Sequence, residues 1–343
     1  MKAIRARARE LMKGACKVCP VCDGRACAGE VPGMGGLGTG SSFKNNLAAL
    51  AAIQLNMRLI HEVKTPSTVV SWLGHQLSMP VIASPIGGMF NINDSVSEPE
   101  YVMAVLEGSK AAGTIGCTGD GVPPVLFGSG ADGVKAMGGW GIPFIKPWDG
   151  GELDEKLQAA LDTGCSIMGM DIDAAGLATL RKMGRPVAPK SPDELAALIE
   201  RVHKAGVKFV IKGIMTIADA RRAADMGADC IVVSNHGGRV LDHAPGTARV
   251  LPYIAEAVRN RVSIMVDGGV RDGVDVAKML ALGADVVGIG RPVMVAAVGG
   301  GAEGVATLLN TVKAQLEQAM ILTGCQDIID VDHSVLFNEE HVQ

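Results

Sequence analysis

The stretch VSIMVDGGVRDGVDVAKMLALGADVVGIG, residues 262–290, decides the fold because it holds one complete structural unit. The apolar run at 262–267 predicts a buried strand, and the segment DGVDVAKMLALG has an amphipathic helical pattern that ends in a glycine. A second apolar run at 285–290 then begins the next unit. A strand followed by a helix and a second strand is the unit from which parallel sheets are built.

The same unit recurs along the chain from residue 80 onward. Eight short apolar runs are found, at residues 80–84, 113–118, 142–146, 166–172, 208–212, 229–234, 262–267 and 285–290. Near-continuous apolar runs are typical of parallel strands that are covered on both faces. Helical patterns lie between them, as in 191–206, where Ser191 is placed to cap a helix that starts at Pro192.

Eight strand-and-helix units predict an α/β fold of the (β/α)8 TIM-barrel class. A doubly wound sheet is the alternative, but no GxGxxG motif follows the first predicted strand. We therefore expect two regions. Residues 1–70 form a Cys/Gly-rich and helical N-terminal segment, and residues 71–343 form the barrel.

Composition limits the classes of partner. Of the 343 residues 48% are apolar, the net charge is −4, and the basic residues are dispersed, which indicates neither a nucleic-acid nor a membrane partner. No run of 18 apolar residues is free of charges, so we expect a soluble protein. The basic N-terminus, 1–14, lacks the apolar core of a secretory signal, and we interpret it as a short surface helix rather than a transit peptide. Reduced cysteines and a cytoplasmic location are expected.

Charged residues follow several of the predicted strands. In (β/α)8 barrels the carboxyl ends of all strands meet at one face, where the active site is built. The residues expected at that face are Lys146, Asp171, Lys212, His236, Arg239, Asp267, Arg271 and Arg291. The glycines and arginines of 267–273 and 288–292, after strands seven and eight, predict a phosphate-binding site.

The segments SNHGGRVLDHAPGT (234–247) and 266–292 resemble the FMN-dependent α-hydroxy-acid dehydrogenase/oxidase family, which includes glycolate oxidase and lactate oxidase. The similarity is strong from 208 to 325 and weaker from 79 to 171. It implies a barrel with FMN as the cofactor. It also implies the oxidation of a small 2-hydroxy acid, such as lactate or glycolate, to the 2-oxo acid in a homotetramer.

The resemblance also implies roles for individual residues. His236 would be the base and would contact the substrate, Arg239 would bind the substrate carboxylate, and Asp171 would support the imidazolium. Lys212 would lie at N1 and O2 of the flavin, where a positive charge stabilises the reduced ring. The other implied cofactor contacts are Ser84, Pro85, Ile86, Gly87, Thr118, Lys146, Ser234, His236, Asp267, Gly268, Gly269, Arg271, Gly290 and Arg291.

The chain departs from the family pattern at the expected substrate site. Neither of its two tyrosines, Tyr101 and Tyr253, lies where the family has an active-site tyrosine. Lys146 stands where a glutamine is expected, and Trp148 replaces a tyrosine as the implied substrate contact. Two alternatives stay open. One is a flavin-dependent non-redox enzyme similar to type 2 isopentenyl-diphosphate isomerase, and the other is a flavin- or metal-binding sensor module.

The N-terminal segment contains four of the eight cysteines. Cys16, Cys19, Cys22 and Cys27 have the spacing C-x2-C-x2-C-x4-C. Four thiolates this close can bind zinc or an iron–sulfur cluster, whose bacterial motif is one residue shorter, or they can be redox-active or unliganded thiols. The glycine-rich stretch that follows, 29–43, is expected to wrap near the barrel mouth, with a flexible linker as the alternative.

Overall fold

The computed structural model describes residues 1–12, 15–93, 95–185 and 187–338. Its strands are β1 Val70–Trp72, β2 His75–Leu77, β3 Val81–Ala83, β4 Cys117–Thr118, β5 Ile142–Ile145, β6 Ile167–Asp171, β7 Lys208–Ile214, β8 Cys230–Val233, β9 Ser263–Val266 and β10 Val286–Ile289. Strands β3 to β10 form one sheet of eight in the order β3-β10-β9-β8-β7-β6-β5-β4, and its paired strands are parallel.

A bridge between Ala83 and Gly116 brings the two edges of this sheet together, so the sheet is nearly closed as a barrel. Each of the eight apolar runs coincides with one of these strands, which confirms the predicted fold class. All five residues of β6 are buried, as expected for a strand that is covered on both faces.

The helices surround the sheet. They are α1 Lys2–Leu11, α2 Ser41–Ala51, α3 Glu98–Ala111, α4 Val125–Ala136, α5 Gly150–Leu161, α6 Ala178–Lys182, α7 Pro192–Lys204, α8 Ile217–Asp225, α9 Thr247–Val258, α10 Gly273–Ala281 and α11 Arg291–Thr323. The predicted start of α7 is confirmed, because Ser191 accepts a hydrogen bond from Glu194 N and Pro192 begins the helix.

A small antiparallel hairpin, β1-β2, covers the amino end of the barrel. Trp72 and Leu77 of this hairpin are buried in a cluster with the inward-facing side chains of the strands, and Trp72 Nε1 donates to Ser263 Oγ at 3.0 Å. The hairpin therefore closes the amino end, and the carboxyl ends of the strands are left as the face that can bind a ligand.

The N-terminal segment crosses the opposite, carboxyl end of the barrel. α1 forms as predicted and packs on α11, where the carbonyl of Ile4 lies so close to Gly299 that a Cβ there would meet it at 2.1 Å. Asp242 fixes the start of α2, since its carboxylate accepts from Thr39 N at 2.6 Å and from Ser41 N at 3.0 Å. The division at residue 70 stays a prediction.

Helix α11 is the longest element, with 33 residues, and it is broken at Gly301, where φ is 58°. Among the described residues it is the one helix that is long and apolar enough to cross a membrane. Of its most apolar window 61% is buried inside the protein, against α3, α1 and α10. A core helix passes the same test of length and composition, so this finding is weak evidence for a membrane span.

Candidate active site

A cavity opens at the carboxyl ends of the barrel strands. It is lined by the loops that follow the strands and, on one side, by Pro32, Gly33 and Met34 of the N-terminal segment. Fifteen of the predicted site residues lie on its wall, and they are Ser84, Pro85, Ile86, Gly87, Lys146, Asp171, Lys212, His236, Arg239, Asp267, Gly268, Gly269, Arg271, Gly290 and Arg291. The predicted wrapping of 29–43 near the barrel mouth is thereby confirmed.

Thr118 and Ser234 do not line this cavity. Thr118 is buried against α4, where a Cβ added to Gly130 would lie 2.7 Å from its hydroxyl oxygen. Ser234 is fully buried, and its Oγ accepts a hydrogen bond from the backbone N–H of His236 at 3.1 Å. The structure thus places Ser234 where it positions the backbone of His236.

Trp148, the implied substrate contact, also lies behind the cavity wall. Its Nε1 donates to Asp120 Oδ2 at 2.6 Å, and its buried ring packs in a cluster with Leu177 and Leu180. Asp120, Leu177 and Leu180 all line the cavity, so Trp148 supports the wall from behind.

The nearest carboxylate to His236 is Asp173, which the sequence analysis did not single out. His236 Nδ1 lies 3.0 Å from Asp173 Oδ1 and 4.0 Å from Asp171 Oδ2. Asp171 instead accepts a hydrogen bond from Lys146 Nζ at 2.8 Å. The chain enters a 3-10 turn after Asp171, and this turn brings Asp173 beside the imidazole. The predicted partner of His236 therefore shifts by two residues.

The charges around His236 favour a neutral imidazole beside an ionised carboxylate. Burial lowers the pKa of His236 below 6.5, although Asp173 opposes this effect. Burial also disfavours the charge on Asp173, but the Lys212 cation and the hydrogen bond from His236 outweigh it and lower the pKa of Asp173 to about 2. The pKa of Lys212 is raised despite its burial, because Asp173 and Asp267 lie nearby. Lys212 Nζ is 3.9 Å from Asp173 Oδ2.

The glycines after His236 are required by the backbone. His236, Gly237 and Gly238 have φ values of 55°, 62° and 78°, in the left-handed region that glycine adopts without strain. A Cβ on Gly237 would lie 2.6 Å from Arg291 Nη1, and one on Gly238 would lie 2.4 Å from Phe43 N. His236 is thus held in a strained conformation of the kind that clusters at functional sites.

Three arginines gather at one side of the cavity without a carboxylate partner. Within the described residues, Arg239, Arg271 and Arg291 take part in no ion pair with Asp or Glu. Burial and the charges of the neighbouring Arg239 and Arg271 together lower the pKa of Arg291 to about 9. Neighbouring cations without counter-ions indicate a site for an anion.

Two of these arginines are held by carbonyl groups of the N-terminal segment. Arg239 Nη1 donates to Gly33 O and Gly35 O, and Arg291 Nε donates to Met34 O at 2.8 Å. The Arg291 guanidinium also stacks on the Phe43 ring, with 4.0 Å from Cζ to the ring centre. The N-terminal segment therefore orients cationic side chains that line the cavity.

The cavity fits the polar groups of FMN. Ser84 Oγ, Asp267 Oδ1 and Arg271 Nε are buried atoms on or near its wall that have no hydrogen-bond partner in the described part of the chain. Gly268 and Gly269, with φ of 107° and 86°, form a bare backbone turn beside Arg271. Buried polar atoms are normally satisfied, so these atoms indicate a polar, anionic ligand.

Two sets of side chains could bind a metal, one in the cavity and one among the N-terminal cysteines, and neither forms a complete metal site in the described part of the chain. Among the described residues, the one group of three or more possible ligands whose atoms lie within 4.8 Å of one another is Asp171, Asp173 and His236. Lys146 and Lys212 lie against these carboxylates, so lysines already compensate their charge. The four N-terminal cysteines, Cys16, Cys19, Cys22 and Cys27, are free thiols that form no such group, and their metal site stays a prediction.

Comparison with known proteins gives the same class of site. A sequence model described as FMN-dependent dehydrogenase matches residues 33–121 and 182–338. An L-lactate oxidase from Lactobacillus jensenii is 32% identical over 324 residues, which cover 85% of this chain and 77% of that protein. The chain belongs to the family of FMN-dependent dehydrogenases, and it is an FMN-dependent oxidoreductase.

Solved structures of related proteins have the same fold as this chain over nearly its whole length. A mandelate oxidase variant with 2-hydroxy-phenylacetamide has a TM-score of 0.79 at 28% identity, over 97% of this chain and 96% of that one. A lactate oxidase from Pediococcus acidilactici has a TM-score of 0.80 at 26% identity, over 98% and 94%. The prediction of an FMN-binding barrel of this family is confirmed.

Proposed function

We propose that this enzyme oxidises a 2-hydroxy acid to the 2-oxo acid, with His236 as the base. The observation that carries the proposal is the hydrogen bond of 3.0 Å between His236 and Asp173 on the wall of the cavity that fits FMN. The lowered pKa of His236 keeps the imidazole able to accept a proton at neutral pH. Relatives that are named lactate oxidase and 4-hydroxymandelate oxidase support the same reaction.

The reaction removes two electrons and two protons from the CH–OH group of the substrate. Bound FMN would accept the two electrons together with one of the protons. His236 takes a proton from the substrate, and the resulting imidazolium is stabilised by the ionised Asp173 beside it. Lys212, next to both, is placed to balance negative charge that develops on the flavin side of the cavity.

Arg239 is the proposed partner of the substrate carboxylate. It lines the cavity, and one of its nitrogens is fixed by carbonyl groups of Gly33 and Gly35. Lys146, another cation of the cavity wall, is already bound to Asp171 at 2.8 Å. A planar guanidinium suits a carboxylate better than an amine because it offers two parallel donors.

The remaining wall favours an apolar substrate side chain. Several apolar residues face the cavity beyond His236, and they are Val122, Leu126, Leu177, Leu180 and Met183. A second carboxylate on the substrate would have to be buried among them without a partner, which is unfavourable. Lactate and mandelate are therefore better candidates than a 2-hydroxy dicarboxylate.

The test is an anaerobic absorption spectrum of the purified holoenzyme before and after the addition of L-lactate, glycolate or mandelate. We expect at least one of them to bleach the flavin bands. In the His236→Ala variant the FMN content should stay the same while bleaching is lost. A variant that still bleaches at the wild-type rate excludes His236 as the base. Turnover that occurs only with pre-reduced flavin would instead favour the isomerase-like alternative.

We also propose that the protein is a cytoplasmic homotetramer. The eight free cysteines are consistent with a reducing compartment. Met57, Leu59 and Ile60 form a strongly exposed apolar stretch, with Ile60 fully exposed, which supports an interface between subunits. Light scattering after size-exclusion chromatography tests the oligomer, and a monomer of 35.4 kDa would contradict it.

A further inference from the structure

The N-terminal cysteines lie in a segment that has no regular structure to hold it. Between the end of α1 at Leu11 and the start of α2 at Ser41, no helix or strand is found among the described residues. Arginines of α1 hold parts of its backbone, since Arg9 donates to Val18 O at 2.7 Å and Arg5 donates to Cys19 O at 2.5 Å. Cysteine-rich segments without regular structure are places where a disulfide or a metal can supply the missing stability.

All four cysteines of this segment are half-buried, and none of them forms a disulfide. Two of the sulfur atoms already accept hydrogen bonds. Val18 N donates to Cys16 Sγ at 3.4 Å, and Arg271 Nη2 approaches Cys22 Sγ at 3.5 Å. N–H groups directed at sulfur, with arginines nearby, are the surroundings that stabilise metal-bound thiolates.

We propose that Cys16, Cys19, Cys22 and Cys27 together ligate one metal centre, either a zinc ion or an iron–sulfur cluster. The four residues lie within a segment of 12 residues, with the spacing C-x2-C-x2-C-x4-C. No three of the sulfur atoms lie within 4.8 Å of one another. A single zinc ion with Zn–S bonds of about 2.3 Å would have to draw them closer, whereas a cluster places several metal atoms between its thiolates.

The proposed metal centre should also affect the binding of FMN. Cys22 and Cys27 lie near Arg291, and Cys22 contacts Arg271 through its carbonyl group, at 3.2 Å. The same segment supplies Gly33, Met34 and Gly35, whose carbonyl groups hold Arg239 and Arg291. A metal bound to this segment would fix these carbonyl groups in place, so the loss of the metal should release the arginines and weaken FMN binding.

The first experiment measures iron, zinc and acid-labile sulfide in the full-length protein, purified without oxygen from cells that are supplied with both metals. One zinc ion per chain, or iron and sulfide in equal amounts with a broad visible absorption under the flavin bands, supports the proposal. Cys22→Ala should lose the metal. Cys165→Ala removes a buried cysteine that is outside the segment, and it should retain the metal.

Less than about 0.1 equivalent of metal in the wild-type protein would overturn the proposal, as would unchanged metal content in the Cys22→Ala variant. Because a cysteine variant can fold poorly, the wild-type protein is also stripped with a chelator and then reloaded. We expect the FMN Kd to rise about tenfold on stripping and to recover on reloading, the effect of losing one charge-assisted hydrogen bond. An unchanged Kd would refute the coupling. Metal content can be read without any substrate, so this test is independent of the proposed 2-hydroxy acid.

Discussion

The Nδ1 atom of His236 lies between two carboxylates that have different partners. Asp171 accepts a hydrogen bond from Lys146, and Asp173 accepts one from the imidazole itself. Asp173 is therefore the carboxylate that fixes the orientation of the ring and stabilises the imidazolium after proton transfer. Asp171 sets the position of Lys146 on the same wall.

We predict that Asp173→Asn lowers the rate of flavin reduction by about 100-fold or more while FMN stays bound, because the amide cannot stabilise the imidazolium. The measurement is stopped-flow flavin reduction without oxygen. Asp229→Asn is the control, since Asp229 precedes β8 at the other end of the barrel and binds Lys208 and His203. A rate in the Asp173 variant that equals the control would show that another group holds the base.

The pH dependence of kcat/KM should reflect the protonation of His236. The pKa of His236 is lowered below 6.5 by burial, so the neutral form that accepts the proton predominates at neutral pH and is lost as the pH falls through the folded-state value. We expect kcat/KM to decline towards acid pH with an apparent pKa below 6.5. An apparent pKa above 6.5 would mean that the pKa of the base is raised, contrary to this site.

The sequence led to His236 and Arg239 through a motif, whereas Asp173 was missed. The sequence reads Asp-Ile-Asp at 171–173, and side chains two apart in an extended chain point to the same side, so this pattern alone does not separate the two aspartates. The choice between them depends on the 3-10 turn that begins at Ile172. Such a turn results from tertiary packing, and no local pattern predicts it.

At the scale of elements, the eight barrel strands could be predicted because each is a short apolar run that is buried on both faces. The hairpin β1-β2 was not predicted. Its strands have three residues each, and its turn uses Leu73 with φ of 47° and Gly74 with φ of 88°. Its position is decided by Trp72, which enters the amino end of the barrel, a contact far away in sequence.

We predict that Trp72→Ala lowers the free energy of unfolding by about 3–5 kcal/mol, because it opens a cavity in the barrel floor and leaves Ser263 without its donor. FMN binding at the opposite end should persist. Chemical denaturation that is followed by circular dichroism measures the change. Val69→Ala, at a half-exposed position just before β1, should change the stability by less than about 0.5 kcal/mol. Equal effects of the two variants would contradict the conclusion that Trp72 stabilises the fold by packing into the amino end of the barrel.

At the scale of the whole molecule, the cavity is assembled from parts that are remote in sequence. Arg239, Arg271 and Arg291 follow three different strands, and carbonyl groups of residues 33–35 help to hold Arg239 and Arg291. The barrel topology brings the arginines to one place, which the strand pattern predicts. That the N-terminal segment crosses the barrel mouth was expected only from its glycine content. Its contacts with Arg239 and Arg291 could not be predicted, because they join segments more than two hundred residues apart.

This assembly brings three cations together, and none of their guanidinium groups forms an ion pair with a carboxylate of the described residues, so the protein without FMN should be stabilised by a simple anion. We predict that inorganic phosphate raises the Tm of the FMN-free protein. At about ten times its Kd the gain would be about 1.4 kcal/mol, or about 2–4 °C. Sodium chloride at equal ionic strength should not do so. Differential scanning calorimetry measures the shift.

Arg271→Gln should abolish the phosphate effect, because Arg271 follows β9 and carries the buried Nε that has no partner within the described chain. Arg249→Gln removes an exposed arginine of α9 and should leave the effect intact. If phosphate stabilises both variants equally, the anion binds elsewhere. The arginines would then be held apart from the flavin by the N-terminal segment, and the phosphate of FMN would rest mainly on the backbone of Gly268 and Gly269.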